Sequence, residues 1–284
     1  MRSTAAAVSL SALWAAWSRP LLAQEPRAAE AGPPAVSARG ASESELAQRS
    51  ENPIEDMISI PVQENLDYQL GPHNRAQSTL KIEPRTPVHV LPSWNIVIRT
   101  IIPIMYKPNT MATTGGSSGL GDVNPTFFFT PAHPGPVIWG VGPDFELPTA
   151  TQTSLGTGQW SVGPSVTMVA KLKPWTLGFI ASNIWSFAGQ SGRSSVDKGS
   201  LEYFIHYNLA NGWSLTTSPT VTAEWNQSSG DVWTVPVGAG GGKVFKLGNK
   251  AAVNASLSAY VYAAKPSNGP DWELRCEASF LFPR

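Results

Sequence analysis

Cysteine is almost missing from this 284-residue chain, with Cys276 the sole example. An internal disulfide framework and a thiolate metal site are both excluded. Charge is scarce too, at 14% of residues against roughly 25% in soluble domains. Neither sign dominates, since 20 basic side chains face 20 acidic ones. Composition therefore offers nothing to nucleic acid and no solvating tail. No segment holds ~18 unbroken apolar residues, which excludes a helical membrane span. No H-x-x-H or carboxylate cluster signals a metal, and no cofactor is expected.

What the chain has in plenty is 25 Gly, 25 Pro and 11 Trp. Gly and Pro punctuate strands and turns. Trp favours sites with one wet and one apolar side, membrane interfaces among them. At the start, Met1-Arg2 supplies a positive charge and Ala5 to Trp17 an apolar stretch of signal-peptide length. Leu21-Leu22-Ala23 offers a cleavage site, so residues 1–23 are expected to be a signal peptide, although Arg19 and Pro20 interrupt the pattern. Residues 24–56 form a polar linker that includes a short predicted helix. Ser42 would be its N-cap, Glu45 the capping partner, and Pro53 would end it near Asn52. Whether this piece extends into the periplasm or plugs a pore is left open.

From residue 57 to 284, alternation of period two recurs between turn signals. In Trp213–Asn226, Trp213, Leu215, Thr217, Pro219, Val221, Ala223 and Trp225 share one face, and the other is wholly polar. Similar alternation marks Val137–Leu147, Trp160–Met168, Leu201–Asn208, Val253–Val261 and Glu273–Phe282. Less regular strands lie near 57–70, 76–88, 93–106, 120–131, 174–187 and 232–246. The total is about twelve, and the strands exceed the 9–11 residues that cross a bilayer. The fold predicted is all-β, a closed antiparallel transmembrane barrel in a bacterial outer membrane. Cys276 falls on an apolar strand face, where it behaves as a small hydrophobe.

Tight connections near 88–92, 131–135, 171–174, 209–212 and 246–250 alternate with mostly longer ones at 107–119, 149–158, 188–198, 226–231 and 265–270. Trp94, Trp139, Trp175 and Trp213 follow the tight turns; Trp160, Trp185, Trp225, Trp233 and Trp272 flank the long loops. These nine are expected to form two aromatic girdles. Gly142-Pro143 and Gly163-Pro164 fall inside strands and predict bulges or sharp curvature.

By parity the inward positions include Asp67, Lys81, Glu83, Arg85, Arg99, Asp122, Asp144, Glu146, Glu202, His206, Glu224, Glu273, Arg275 and Glu277. They predict either a permeation path of mixed charge or an ion-pair network bracing a narrow lumen. Catalysis is the weaker reading, and no catalytic residue is assigned. His206 with Glu202 and Ser214 or Ser218 would make a Ser-His-Glu set, but a lumenal base is badly placed for lipid and no G-x-S-x-G elbow is present. Gly238–Lys243 lacks P-loop spacing and reads as smooth or bent strand. Gly115-Gly116-Ser117-Ser118-Gly119 is read as a flexible external loop.

Several strings resemble a bacterial outer-membrane family named for a phenol-degradation pathway, whose members carry the labels "transporter" or "neuromedin U". They are Asn52-Pro53-Ile54 and Ile58–Asn65, Ile98–Ile104, Ser118–Asp122, Trp139–Pro143 and Leu147–Thr151. Leu155–Gly158, Asn183–Gly189, Trp233–Pro236 and Gly269–Trp272 complete them. The resemblance spans residues 50–284. It implies an outer-membrane channel or facilitator for small, aromatic or hydrophobic solutes, contacting outer-membrane lipid and the barrel-assembly machinery. One departure is that Phe282 is followed by Pro283-Arg284 instead of ending the chain. The competing reading is a non-transporting structural or surface-binding barrel.

Overall fold

The computed structural model describes residues 42–248 and 251–282; the expected signal peptide lies outside them. One helix, α1 (Glu43–Ser50), precedes fifteen strand segments. These are β1 (Ile58–Leu70), β2 (Arg75–Ile82), β3 (Arg85–Leu91), β4 (Trp94–Pro108), β5 (Gly116–Leu120), β6 (Asn124–Pro131), β7 (Val137–Glu146) and β8 (Gln159–Leu172). β9 (Trp175–Gly189), β10 (Asp197–Asn208), β11 (Trp213–Thr217), β12 (Thr220–Glu224), β13 (Trp233–Leu247), β14 (Ala251–Ala264) and β15 (Trp272–Phe282) follow.

Three staves of the barrel are each broken in two: β2 with β3, β5 with β6, and β11 with β12. Counting each pair once gives twelve staves, all antiparallel, each beside its sequence neighbours. The ring closes where β1 meets β15, in register from Ile58↔Phe282 to Tyr68↔Trp272. Pro84 and Pro219 explain two of the breaks, because proline gives no N–H to a ladder. The chain still bonds across them: Glu83 N–H reaches the Pro61 carbonyl at 2.8 Å and Thr100 N–H the Pro84 carbonyl at 3.1 Å. The continuous strand expected over Trp213–Asn226 is thus interrupted at Ser218-Pro219. The loop expected at 115–119 is strand from Gly116 onward, paired with β4.

Turn chemistry matches the asymmetry of the two ends. β10 and β11 are joined through Asn211 and Gly212, both with positive φ (56° and 73°), as a tight hairpin requires. The Gly-Pro pairs deform the wall. β6 and β7 pair only at Thr126↔Asp144 and Phe129↔Val141. The β8–β9 ladder skips from Val162↔Trp185 to Ser165↔Ser182. A side chain at Gly142 or Gly163 would collide with the Phe127 or Asn183 carbonyl, so only glycine permits this approach.

The helix fills one end of the barrel. Ser42 and Glu45 form a reciprocal capping box that starts α1. Leu46, Ala47 and Met57 are buried against Val244, Ala252 and Leu281 of β13, β14 and β15. Further along, Ile54 is buried with Val97, Phe128, Ile138, Val169, Ile180 and Phe204, all from inner faces of β4 to β10. Residues 42–57 therefore make a plug seated inside the end of the barrel that holds the tight turns.

Candidate functional site: the lumen and its plug

Alternation sends the polar positions of each strand inward, and the structure brings the expected charges together there. Arg99 on β4 donates to Glu83 at 3.0 Å and to Glu202 on β10 at 3.1 Å. β4 and β10 are five staves apart in the ring of twelve, so this contact crosses the lumen. Glu83 sits at the β2–β3 break and also meets Arg85 at 3.5 Å. Arg275 on β15 donates to Glu273 at 2.8 Å and to the Ser218 carbonyl at 2.7 Å. That carbonyl is free to accept because the strand is broken beside it. Tyr262 donates to Asp67 at 2.7 Å or Glu273 at 2.9 Å.

Nearer the mouth with the longer loops, Lys198 lies 3.8 Å from Glu146 and 3.9 Å from Glu224. Asp144 accepts from Asn124 and Thr126, both at 2.8 Å. Asp122, at the β5–β6 break, holds the loop over residues 147–158. It accepts from Ala150 N–H at 3.1 Å, Thr157 N–H at 2.5 Å and the Thr157 hydroxyl at 2.9 Å. Arg193 ties the same loop by donating to the carbonyls of Thr153, Gly156 and Thr157. Three of the strings behind the family resemblance, around residues 118–122, 147–151 and 155–158, meet in this latch.

Between the loop and the Arg99–Glu202 bridge lies a chamber of about 390 Å³. Its lining is mixed: apolar Ile101, Pro103, Met105, Leu155, Ile180 and Ile184 alternate around the wall with charged Lys81, Glu83, Asp122, Asp144, Glu146 and Lys198. Arg99 Nε and Glu146 Oε1 are buried and carry no hydrogen bond among the described residues. Below the bridge a smaller cavity of about 70 Å³ is lined by Ser214, Thr216, Ser256, Ser258, Glu277 and the plug residue Glu51, among others. Glu202 and Arg275 line both cavities. Outside the wall, the Gly-Pro kinks line an apolar groove of about 690 Å³, which shares Ser165 and Ser182 with the chamber.

The plug is fastened by polar contacts as well as apolar ones. Ser50 accepts from Asn254 at 3.0 Å, and Glu51 accepts from Asn208 at 3.2 Å. His206 Nδ1 lies 3.6 Å from Glu51, so the histidine faces the plug. Burial pushes the Glu51 carboxyl up to about 7, against weaker opposing pulls from Asn208, Thr176 and Lys171. Burial pushes Glu55 the same way, but Lys171 at 2.5 Å, Asn52 and Arg49 together hold it below the usual carboxylate range.

Reasoning from sequence missed Lys198, which it left in a loop at 188–198; the residue is the second of β10. Tyr260 and Tyr262 were missed as well, although they continue the polar face of Asn254, Ser256 and Ser258. The nine tryptophans all lie on the outer wall, each at least 36% exposed in the isolated chain.

No family model matches the chain, and no curated protein matches it. Solved structures do. An outer membrane channel from Pseudomonas putida F1 superposes with a TM-score of 0.59 at 15% identity, over 80% of this chain and 95% of that one. A NanC porin gives 0.48 at 10% identity, over 80% and 100%. The toluene transporter TodX from Pseudomonas putida gives 0.39 at 10%, over 86% and 93%. The chain has the fold of a bacterial outer-membrane barrel.

Proposed function

We propose that this barrel is an outer-membrane channel for small solutes with an apolar or aromatic body and one polar group. The observation that carries this reading is the chamber's mixed lining. Its apolar side chains take the body of the solute, while Arg99 Nε and Glu146 Oε1 offer a buried donor and acceptor that carry no hydrogen bond among the described residues. A volume of about 390 Å³ lies within the roughly 300–1,000 Å³ of small-molecule pockets. The lumenal charges act as the lining, with the Arg99–Glu202 bridge as the constriction. The outward tryptophans are the two interface belts. Passage requires the plug to shift, since residues 42–57 occupy the far end.

A non-transporting barrel is the second reading, favoured by the bridge across the lumen and by the plug. Single-channel recording on the refolded chain, together with solute uptake into liposomes, separates the two. On the channel reading, Arg99→Ala leaves Glu83 and Glu202 facing the pore and moves ion selectivity toward cations. A folded barrel that stays silent both with and without residues 43–56, and passes no solute, overturns the channel reading.

A further inference from the structure

Charge inside the barrel is balanced at the constriction and unbalanced above it. At the constriction Arg99 meets Glu83 and Glu202, and Arg85 brings Glu83 a second cation. Toward the long loops, Asp122, Asp144 and Glu224 each lie close enough to Glu146 to repel it. The cations at that end are Arg193 and Lys198. Arg193 donates to the loop carbonyls of Thr153, Gly156 and Thr157 and enters no ion pair among the described residues. Lys198 reaches from β10 past β9 and β8 toward β7. It stops 3.8 Å from Glu146 and 3.9 Å from Glu224, too far from either for a hydrogen bond. Glu146 is only 9% exposed, and its Oε1 is buried with no hydrogen bond among the described residues.

A buried carboxylate oxygen left without a partner is costly. A positive donor completes it best, because charge-assisted hydrogen bonds are the strong ones. An ammonium group brings three donors and no acceptor, which suits a region whose open positions are carboxylate oxygens. Among the described residues no group of His, Cys, Asp or Glu is arranged to hold a metal ion, so the cation that fits is organic. An anion would only add to the negative excess, and Arg99 is already shared between Glu83 and Glu202. Apolar surface adjoins the same spot. Ile184 is in register with Lys198, and Ile180 and Leu155 line the chamber with it. We propose that the polar group of the solute is a protonated amine, which donates to Glu146 while Lys198 settles on Glu224, its register partner. This rests on the chamber being the solute's seat, and it narrows the solutes to amphipathic amines, a positive head on an apolar body.

Benzylamine, benzyl alcohol and benzoate share one body and test the head. Each is titrated at neutral pH against the full refolded chain, and affinity is read from the rise in the temperature of its heat-dependent gel shift. Benzylamine should bind about tenfold tighter than the other two. Glu146→Gln keeps the shape and removes the charge, and it should weaken benzylamine about tenfold while leaving benzyl alcohol unchanged. Lys198→Met removes the competing cation and should tighten benzylamine, which a purely structural ion pair would not do. Benzyl alcohol binding as well as benzylamine is the outcome if Glu146 carries a proton, and it overturns the proposal. So does a preference for benzoate, or magnesium chloride stabilising the barrel as well as benzylamine. Benzylamine affinity that ignores either substitution overturns it too. In each of these cases the channel reading stands. If no probe binds, the amine proposal fails, and uptake of the three probes into liposomes decides the channel reading on its own: uptake keeps it and none removes it.

Discussion

Two sides of the plug are held on opposite rules. On the Ile54 side, Phe128, Val97 and Val169 close around it in dry packing. On the Ser50–Glu51 side, a hydroxyl-lined wall leaves a cavity, and Asn254, Asn208 and His206 supply polar contacts. One segment thus docks through dry packing at one point and polar contacts at another. Dry packing is strong and insensitive to pH; polar contacts are weaker, and they respond to it. The difference shows how a plug can be anchored and yet remain adjustable.

Removing residues 43–56 would abolish the contrast and should have the largest effect: single-channel conductance in a planar bilayer rising about tenfold. Next, Phe128→Ala empties the dry side. It should lower folding stability by about 3–5 kcal/mol in urea titration of the liposome-refolded barrel, whereas Thr216→Val on the wet side should change it by less than about 1.5 kcal/mol. Equal effects would mean that the two sides do not differ as described. The third effect is one of pH. Glu51 is held near 7 when docked against an ordinary value of 4.5, so the docked plug binds the extra proton. Docking is strongest below pH 4.5 and weakens as pH rises to 7, by up to about 3 kcal/mol. Conductance should rise over that window, and Glu51→Gln should flatten the profile. Smallest, Ser50→Ala removes one hydrogen bond to Asn254 and should loosen the plug by about 1 kcal/mol, read as a modest rise in open probability.

Much of this was legible in the sequence because a membrane strand writes itself as alternation. Leu201, Tyr203, Ile205 and Tyr207 against Glu202 and His206 say which side is which, and parity brought Arg99 and Glu202 to one lumen. Parity does not say how far apart two staves lie around the ring, so the bridge between them had to be seen. The strand breaks were hidden for a different reason. Pro219 kept its place in the alternation, and the lost ladder bonds become visible only when the Ser218 carbonyl is found bonded to Arg275. The route of the plug was unreadable because Ile54 is one apolar residue in a polar stretch. Its worth depends on six strands it meets only after folding.

The Asp122 latch divides one loop into two regimes of tolerance. Exposed loops ordinarily tolerate change along their whole length. Here Gln152, Thr153 and Ser154 face outward while Leu155, Gly156 and Thr157 line the chamber. A side chain at Gly156 would strike both the Asp122 carboxylate and Ala150. The tip can therefore take substitutions that the inward triplet, three residues away on the same stretch of chain, cannot.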